Sequence, residues 1–397
     1  MTNPFRCHWR LNPDIDFLNH GSFGAMPIVV MEDQRRWIER LERDPIEFLG
    51  PERSLLPKLD HVRNRIAQLV GADSEDLAFV RNATEGVNAV LRSFPFAAGD
   101  EVLITNHGYN ACNNAARYAA GQSGAAVSVA ELPFPIRSSS QVIDAIDQAI
   151  TSKTRLLLID HVTSPTGLVL PVKELIELAH RRGVRVMIDG AHAPGMVPVD
   201  LRDLDVDYYT ANHHKWLCGP KTSGFLYVRR ELQSTVHPTT ISHGANTPEL
   251  GRTPFLAQFN WIGTYDPTPI LAMPTAIEFL SGLVEGGLPQ LMRNNHALVV
   301  AGRELLLDAL NCSAPAPTDM LGNLASVPLP SERFGDKTAA NALQQRLSRD
   351  HRIEVPVFLL DGTQPCLRIS AQAYNSIDQY QRLADALRSS TGESPQG

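Results

Sequence analysis

Between Leu77 and Val228 the chain repeats one pattern: a short apolar or β-branched run, a loop with Gly, Asn, Ser or Asp, and then an amphipathic helix. This alternation predicts a parallel sheet that is covered by its connecting helices. Six or seven strands of this kind form one large α/β domain. The strands predicted directly are Asp76–Val80, Glu101–Thr105, Thr154–Ile159, Val184–Ile188, Val206–Thr210 and Gly224–Val228.

The pattern changes after Pro274, where a helical stretch leads to Leu305 and is followed by two or three separated strands with two helices. We therefore predict a large α/β domain over residues 21–284, with a mostly parallel seven-stranded sheet sandwiched by helices. Residues 1–20 and 285–397 are predicted to form a smaller α+β domain. Its tail, 389–397, is mostly Ser, Gly, Pro and Gln and is predicted to be disordered.

Composition excludes several classes of protein. The 397 residues are 43% hydrophobic and 20% charged, which is typical of a folded chain with a buried core. Lys and Arg total 36 against 43 for Asp and Glu, so the net charge of −7 provides no general attraction to phosphate backbones or anionic lipids. We expect neither a nucleic-acid nor a membrane partner.

Localisation is read from what the sequence lacks. The first residues have no apolar core of signal-peptide length, and no apolar run is long enough to span a membrane. The five cysteines are far apart and have no C-x-x-C spacing, so neither a disulfide framework nor a zinc site is indicated. A reducing cytoplasm fits these features best.

Polar and charged residues cluster directly after the predicted strands. Open parallel α/β sheets bind ligands in the crevice at the carboxyl ends of their strands, so these residues are the first candidates for a site. The segments are Asn82–Thr84, Asn106–Tyr109, Ser164–Gly167, Asp189–His192 and Asn212–Trp216.

Lys215 lies in an apolar stretch, where a cationic side chain is costly unless it reacts or is paired. A desolvated lysine has a lowered pKa and can form an imine with an aldehyde. The alternative is a structural lysine that extends its ammonium group to water.

Asp189 follows an apolar strand, so its carboxylate is expected to be partly buried at the ligand-binding end of the sheet. A buried carboxylate needs a cationic partner, and the protonated pyridine nitrogen of pyridoxal 5′-phosphate (PLP) is such a partner. The alternative is an acid that caps the next loop. Similarly, Asn82–Thr84 at a helix start indicates either a phosphate site or an ordinary N-cap.

The segment Thr210–Gly224, TANHHKWLCGPKTSG, is similar to the lysine motif of the class V aminotransferase family of PLP enzymes. The resemblance extends from Phe17–Gly24 to Cys366–Ser370 and includes Trp261–Pro269. Within the family, the chain most resembles the isopenicillin N epimerase-like branch, whose members include epimerases and carbon–sulfur lyases. The resemblance implies the fold of fold type I PLP enzymes.

The resemblance also implies catalytic roles. Lys215 would bond covalently to the cofactor aldehyde, Asp189 would pair with the pyridine nitrogen, and His192 would lie against the ring near its phenolic oxygen. Ser164 stands where cysteine desulfurases of the family have an Asn that binds this oxygen, and serine is shorter.

Ring and phosphate contacts complete the implied cofactor site. Tyr109 is the expected stacking residue and His107 its competitor. A second subunit would contribute Thr264, so the resemblance implies a homodimer with shared active sites. The phosphate-binding residues would be Ala83, Thr84, Asn212, His214 and the second subunit's Thr264.

Arg368 matches the family's arginine that binds the substrate α-carboxylate, and Asn19 and His20 would line the same pocket. The resemblance implies a small-molecule amino-acid substrate and chemistry at its α-carbon. Epimerisation, expulsion of a sulfur substituent by a lyase, and transamination all remain open, with transamination less favoured. A PLP-binding protein without catalysis is the non-enzymatic alternative.

Other enzyme classes lack their motifs. A nicotinamide-dependent oxidoreductase would need a G-x-G-x-x-G turn, which Gly21–Gly24 does not provide. A metal enzyme is disfavoured because His213 and His214 are adjacent and no H-E-x-x-H exists. Persulfide-forming desulfuration is disfavoured because Ser313–Pro365 contains no cysteine to accept sulfur.

Overall fold

The computed structural model describes residues 3–391. The strands in this range are β1 (Asp16–Phe17), β2 (Leu77–Val80), β3 (Glu101–Thr105), β4 (Ala126–Ala130), β5 (Thr154–Asp160), β6 (Arg185–Asp189), β7 (Tyr208–Asn212), β8 (Gly224–Val228), β9 (Leu324–Pro328), β10 (Ile353–Glu354), β11 (Val357–Leu360) and β12 (Gln364–Ser370).

The α-helices in the same range are α1 (His20–Phe23), α2 (Ile28–Arg43), α3 (Pro45–Leu49), α4 (Leu56–Val70), α5 (Ala83–Ser93), α6 (Asn110–Ser123), α7 (Ser140–Ala149), α8 (Val172–Arg181), α9 (Leu201–Leu204), α10 (Pro254–Asn260), α11 (Thr268–Leu271), α12 (Met273–Gly282), α13 (Gly287–Leu310), α14 (Ser331–Phe334), α15 (Lys337–Asp350) and α16 (Ile377–Thr391).

The main sheet has seven strands in the order β2-β8-β7-β6-β5-β3-β4. Strands β3 to β7 pair in parallel, whereas β8 is antiparallel to both β7 and β2. The predicted α/β fold with a mostly parallel seven-stranded sheet is confirmed. The seventh strand, β4, was not among the six predicted directly, because this edge strand is half exposed and its sequence Ala-Val-Ser-Val-Ala is only weakly apolar.

Helices cover both faces of this sheet, as β5 shows. Leu157 and Ile159 belong to one buried cluster, whereas Leu156 and Leu158 belong to a second cluster. Successive side chains of a strand point to opposite faces, so a strand buried on both sides reads as a continuous apolar run.

Two details of the sheet position the site. Asp160 and Asp189 are paired in register at the ends of β5 and β6, so two carboxyl groups leave the sheet side by side. Helix α5 packs closely on β7, because a Cβ atom at Gly86 would overlap the Thr210 hydroxyl. The absence of a side chain at Gly86 lets the helix lie this near the strand.

The remaining part of the fold is smaller. Strands β11, β12 and β9 form an antiparallel sheet. Strand β1 pairs with β10, and this pairing connects the N-terminal segment to the smaller part of the fold. The boundaries of the two predicted domains stay a prediction. Helix α16 continues through Thr391, so the first residues of the predicted tail, 389–391, are helical, with the Ser389 hydroxyl bonded to the Ala386 carbonyl. Residues 392–397 lie outside the described range.

Across residues 3–391, no single helix has the length and apolar content to cross a membrane. Thr268–Gly282 and Gly287–Leu310 reach that length and content only when taken together, and they meet at a bend of 69°.

Candidate active site

A cleft lies where β5, β6 and β7 end, next to the first turn of α5. This is the edge at which parallel α/β sheets bind ligands. The predicted residues that line it are Ala83, Thr84, Tyr109, Ser164, Asp189, His192, Asn212, His214 and Lys215. The lining also includes Asn82 and Ala191, which belong to the candidate segments after the strands, and Ser22, Phe23 and Asp160, which were not assigned to the site.

Lys215 is buried at the base of the cleft, with 9% of its surface exposed. Its Nζ lies 2.7 Å from Nε2 of His192. Burial lowers the pKa of Lys215 to about 8, an effect that Asp189 opposes and Arg368 reinforces. At pH 7 about a tenth of a lysine with this pKa is neutral, compared with less than about a thousandth of an ordinary lysine, and the neutral amine is the form that reacts with an aldehyde.

His192 lies between Lys215 and Trp216. The Trp216 indole N–H donates to His192 Nδ1 at 3.2 Å. Burial holds the pKa of His192 well below its ordinary value, and the Lys215 charge lowers it further. The imidazole is therefore neutral at neutral pH. The sequence analysis included Trp216 in the candidate segment Asn212–Trp216 but did not predict this contact.

Asp189 has 3% of its surface exposed. Its carboxylate accepts the Ala191 N–H at 3.0 Å and the Cys112 thiol at 3.1 Å. No basic side chain among residues 3–391 forms a salt bridge with it. A buried carboxylate that forms no salt bridge with the described residues suits a cationic ligand atom, such as the protonated nitrogen of a pyridine ring.

Asp160 is a second buried carboxyl group in the cleft, and the sequence analysis missed it. Burial raises the pKa of Asp160 well above its ordinary value, and the neighbouring Asp189 raises it further. Burial and the neighbouring Asp189 therefore both favour the protonated form of Asp160. Its position directly after an apolar run could have identified it as a site residue, because Asp189 stands in the same place on β6.

The first turn of α5 borders the cleft and has features that suit an anion. Asn82 caps the helix by accepting the Glu85 N–H at 2.9 Å, and Asn212 accepts the Ala83 N–H at 2.9 Å. Thr84 and His214 line the adjoining wall, and Nδ1 of His214 is buried without a hydrogen-bond partner among residues 3–391. Burial lowers the pKa of His214 to about 4, so its ring is neutral. A helix N-terminus with an unused imidazole nitrogen suits a phosphate group.

Arg368 lies behind Ser22 and Ser164, on β12. Its guanidinium donates to the Ser164 carbonyl and hydroxyl and, at 3.0 Å, to the Ser22 hydroxyl. Within the described part of the chain its Nε is buried without a hydrogen-bond partner, and burial lowers the pKa of Arg368 to about 10. A buried arginine bonded only to neutral oxygens has capacity left for a carboxylate.

The structure distinguishes the two candidate stacking residues, Tyr109 and His107. Tyr109 lines the cleft with 44% of its surface exposed, and Lys215 Nζ lies 6.0 Å from its ring centre. His107 is fully buried and shares a 3.0 Å hydrogen bond with the Thr166 hydroxyl. Tyr109 therefore has the position that ring stacking needs, although the stacking role itself stays a prediction.

His20 does not line the cleft, so its predicted place in the substrate pocket is corrected. Its ring is fully buried between the Tyr374 hydroxyl at 2.7 Å and the Lys215 carbonyl at 2.9 Å. The short turn α1 directs His20 inward and brings Ser22 and Phe23 to the cleft instead.

Asn19 and Thr264 also lie outside the lining of the cleft. Asn19 accepts the Ser22 hydroxyl at 2.6 Å and so reaches Arg368 only through Ser22. Thr264 is exposed, in a loop whose Gly263 has a φ of +105°. An exposed position is the one that a contact with a second subunit requires.

Comparison with known proteins extends this description. A family model for class-V aminotransferases matches residues 52–383. Isopenicillin N epimerase of Amycolatopsis lactamdurans is 37% identical over 393 residues, which cover 95% of this chain and 96% of that protein. The probable chloroplastic L-cysteine desulfhydrase of Arabidopsis thaliana is 32% identical over 400 residues, which cover 95% of this chain and 83% of that protein.

A solved structure shares the fold. A C-DES mutant with glycine covalently linked to its PLP cofactor superposes with a TM-score of 0.80 at 21% identity, over 97% of this chain and 99% of that one. The chain belongs to the class V aminotransferase family, as the lysine motif predicted. The members of this family are PLP-dependent enzymes. This agrees with the cofactor and the enzyme class that the sequence indicates.

Proposed function

We propose that this chain is a PLP-dependent enzyme that removes the α-proton of an amino acid and returns it to epimerise the α-carbon. One observation carries the proposal. The buried amine of Lys215 lies in one cleft with the unpaired carboxylate of Asp189, and Arg368 stands behind the wall of that cleft. The site therefore combines a base, Lys215, an anionic partner for a pyridine ring, Asp189, and a carboxylate-binding group, Arg368.

Each residue has a defined task. When bound, PLP supplies an electron sink for a carbanion at the α-carbon. Asp189 keeps a proton on the pyridine nitrogen, and the turn of α5 with Thr84 and His214 holds the phosphate. Arg368 binds the substrate carboxylate. With a pKa of about 8, the Lys215 amine accepts the α-proton.

Carbon–sulfur lysis is the second candidate, supported by the likeness to the probable L-cysteine desulfhydrase. It begins with the same proton removal and differs in expelling a sulfur substituent. Desulfuration through a persulfide on the enzyme has little support. Cys366 is buried in β12 and Cys312 lies near the Pro328 carbonyl, whereas Cys112 faces Asp189.

The test is a panel of D- and L-amino acids and β-substituted cysteines in deuterated water. Epimerisation predicts deuterium at the α-carbon and appearance of the opposite enantiomer, without keto acid or released thiol. Release of thiol with keto acid would replace the epimerase by the lyase. A holoenzyme that exchanges no α-proton on any member of the panel would contradict both.

Arg368→Lys is expected to weaken amino-acid binding more than it weakens PLP binding. A lysine ammonium offers a point charge where arginine offers a planar fork, so about 1.5–3 kcal/mol of binding free energy is lost, or about ten- to a hundredfold in KM. Amines without a carboxylate serve as the control, because their turnover should change little. An equal loss for both ligand classes would show that Arg368 is structural.

The proposal extends to a homodimer in which Thr264 of one subunit binds the phosphate in the other's cleft. It is supported by the exposure of Thr264 and by its absence from the described lining of the cleft in its own chain. Mixing an inactive Lys215→Ala protein with an inactive Thr264→Ala protein should restore activity after subunit exchange. One site per heterodimer then regains both residues. A fully active Thr264→Ala protein, or an active monomer by light scattering, would remove the shared site.

We also place the protein in the cytoplasm. All five cysteines, Cys7, Cys112, Cys218, Cys312 and Cys366, are free thiols. Free thiols persist in reducing compartments. Cell fractionation with an antibody to the native protein tests this placement.

A further inference from the structure

We infer that Trp216 fixes the tautomer of His192, so that His192 donates a hydrogen bond to Lys215 and favours the neutral form of the lysine amine. Trp216 acts here as a positioning residue, because it touches His192 and reaches the reacting amine only through that ring. The inference rests on the proposed function in one respect, which is that Lys215 is the amine that reacts.

The donor and acceptor roles follow from elementary chemistry. An indole N–H can donate a hydrogen bond but cannot accept one. The Trp216 N–H lies 3.2 Å from His192 Nδ1, so Nδ1 carries a lone pair rather than a proton. A neutral imidazole then carries its proton on Nε2. That proton is directed at Lys215 Nζ, 2.7 Å away.

This geometry constrains Lys215. An ammonium group has three donors and no acceptor, so it cannot accept the Nε2 proton. Only the neutral amine has the lone pair that this contact needs. If His192 were free to move its proton to Nδ1, Nε2 would become an acceptor and would stabilise the ammonium form instead. The indole N–H therefore determines which protonation state of the lysine His192 favours.

The surroundings hold this arrangement in place. Trp216, with 1% of its surface exposed, packs against His20 with ring centres 5.1 Å apart. His20 in turn contacts the Lys215 carbonyl at 2.9 Å. Burial keeps the pKa of His192 well below its ordinary value, so the imidazolium form does not compete.

Other charges facing the lysine act in both directions. Asp189 favours the ammonium form, as Asp160 and Cys112 do when they are ionised, whereas burial and Arg368 oppose it. The groups that face His192 are Lys215, Arg368, His214 and His20. The His192 contact is the one hydrogen bond described for Nζ among residues 3–391, so its direction has a large effect on the balance.

The experiment follows the capture of PLP by cofactor-free protein from about pH 6 to about pH 10, a range that brackets the ordinary titration of a perturbed lysine. Wild-type capture should rise through about pH 8, since the neutral amine reacts. Trp216→Phe keeps the aromatic bulk and removes the donor. Its capture rate should fall about tenfold at pH 7 and rejoin wild type at high pH, because a pKa about one unit higher lowers the neutral fraction tenfold.

Two controls separate the tautomer from packing. Trp9→Phe removes another buried indole bond, which runs to the Ala25 carbonyl at 3.1 Å, and should leave the pH profile unchanged. In a His192→Ala background, Trp216→Phe should cause no further pH shift. An unshifted profile in Trp216→Phe overturns the inference. So does a loss that is equal at every pH, or a shift that persists in the His192→Ala background.

A measurement on the unaltered protein covers the case in which Trp216→Phe does not fold. Neutron diffraction from wild-type crystals should place the His192 deuteron on Nε2, and a deuteron on Nδ1 would overturn the inference. A wild-type protein that captures no PLP at any pH would instead contradict the proposed function, so the two failures are distinguishable.

Discussion

Replacing Lys215 with alanine is expected to abolish turnover while the fold stays intact. Removing a general base costs about 10²–10⁴-fold in rate, and the covalent bond to PLP is lost as well. The phosphate and pyridine contacts do not need that bond, so PLP should still bind but should be removable by dialysis. Visible absorbance after dialysis and α-proton exchange measure the two effects, and thermal unfolding checks the fold.

Lys221→Ala is the matched control for this variant. Lys221 lies six residues further along the same loop, and its ammonium donates to the Gly24 carbonyl at 3.3 Å. The variant should keep its absorbance through dialysis. Wild-type exchange in Lys215→Ala would show that another residue is the base.

Asp189→Asn is the second variant with a large expected effect. The amide preserves the shape of the side chain but cannot stabilise a protonated pyridine. Breaking a buried charge pair costs about 3–5 kcal/mol. In a transition state this is a loss of between about a hundredfold and a few thousandfold in α-proton exchange. Because the phosphate contacts are unchanged, PLP affinity should fall far less than the rate.

Asp207→Asn provides the comparison, since it also alters a buried carboxylate near the sheet. Asp207 accepts the Val186 N–H at 2.8 Å and pairs with His180 at 2.8 Å, away from the cleft. Its loss should lower stability without changing the exchange rate per folded site. Unchanged exchange in Asp189→Asn would remove the electron-sink role.

Much of the site could be predicted because parallel strands end at one edge of a sheet. Residues directly after such strands must converge, so Asp189, Asn212 and Lys215 could be assigned to one cleft from their places in the sequence. The lysine motif then supplied roles that position alone does not give. The alternation of strands and helices was sufficient for the main sheet, except at its weakly apolar edge strand.

The remaining features depend on orientation and long-range packing. Consecutive residues of a helical turn point about 100° apart. The segment containing His20 and Ser22 could therefore be placed near the site, but the sequence assigned His20 to the pocket, whereas in the structure His20 points inward and Ser22 lines the cleft. Asp160 was missed although it directly follows the predicted strand Thr154–Ile159, because the candidate segment for that strand was taken from Ser164 onward. The Trp216 contact depends on how its loop meets the loop after β6, which no local pattern reports.

The bond between PLP and Lys215 is tested most directly by borohydride reduction of the protein with PLP, followed by peptide mass spectrometry. We expect one modified peptide per chain, with the pyridoxyl phosphate group on Lys215. A group on Lys221 or another lysine instead, or a protein without any modified peptide, would contradict the assignment of this cleft as the PLP site of a class V family enzyme.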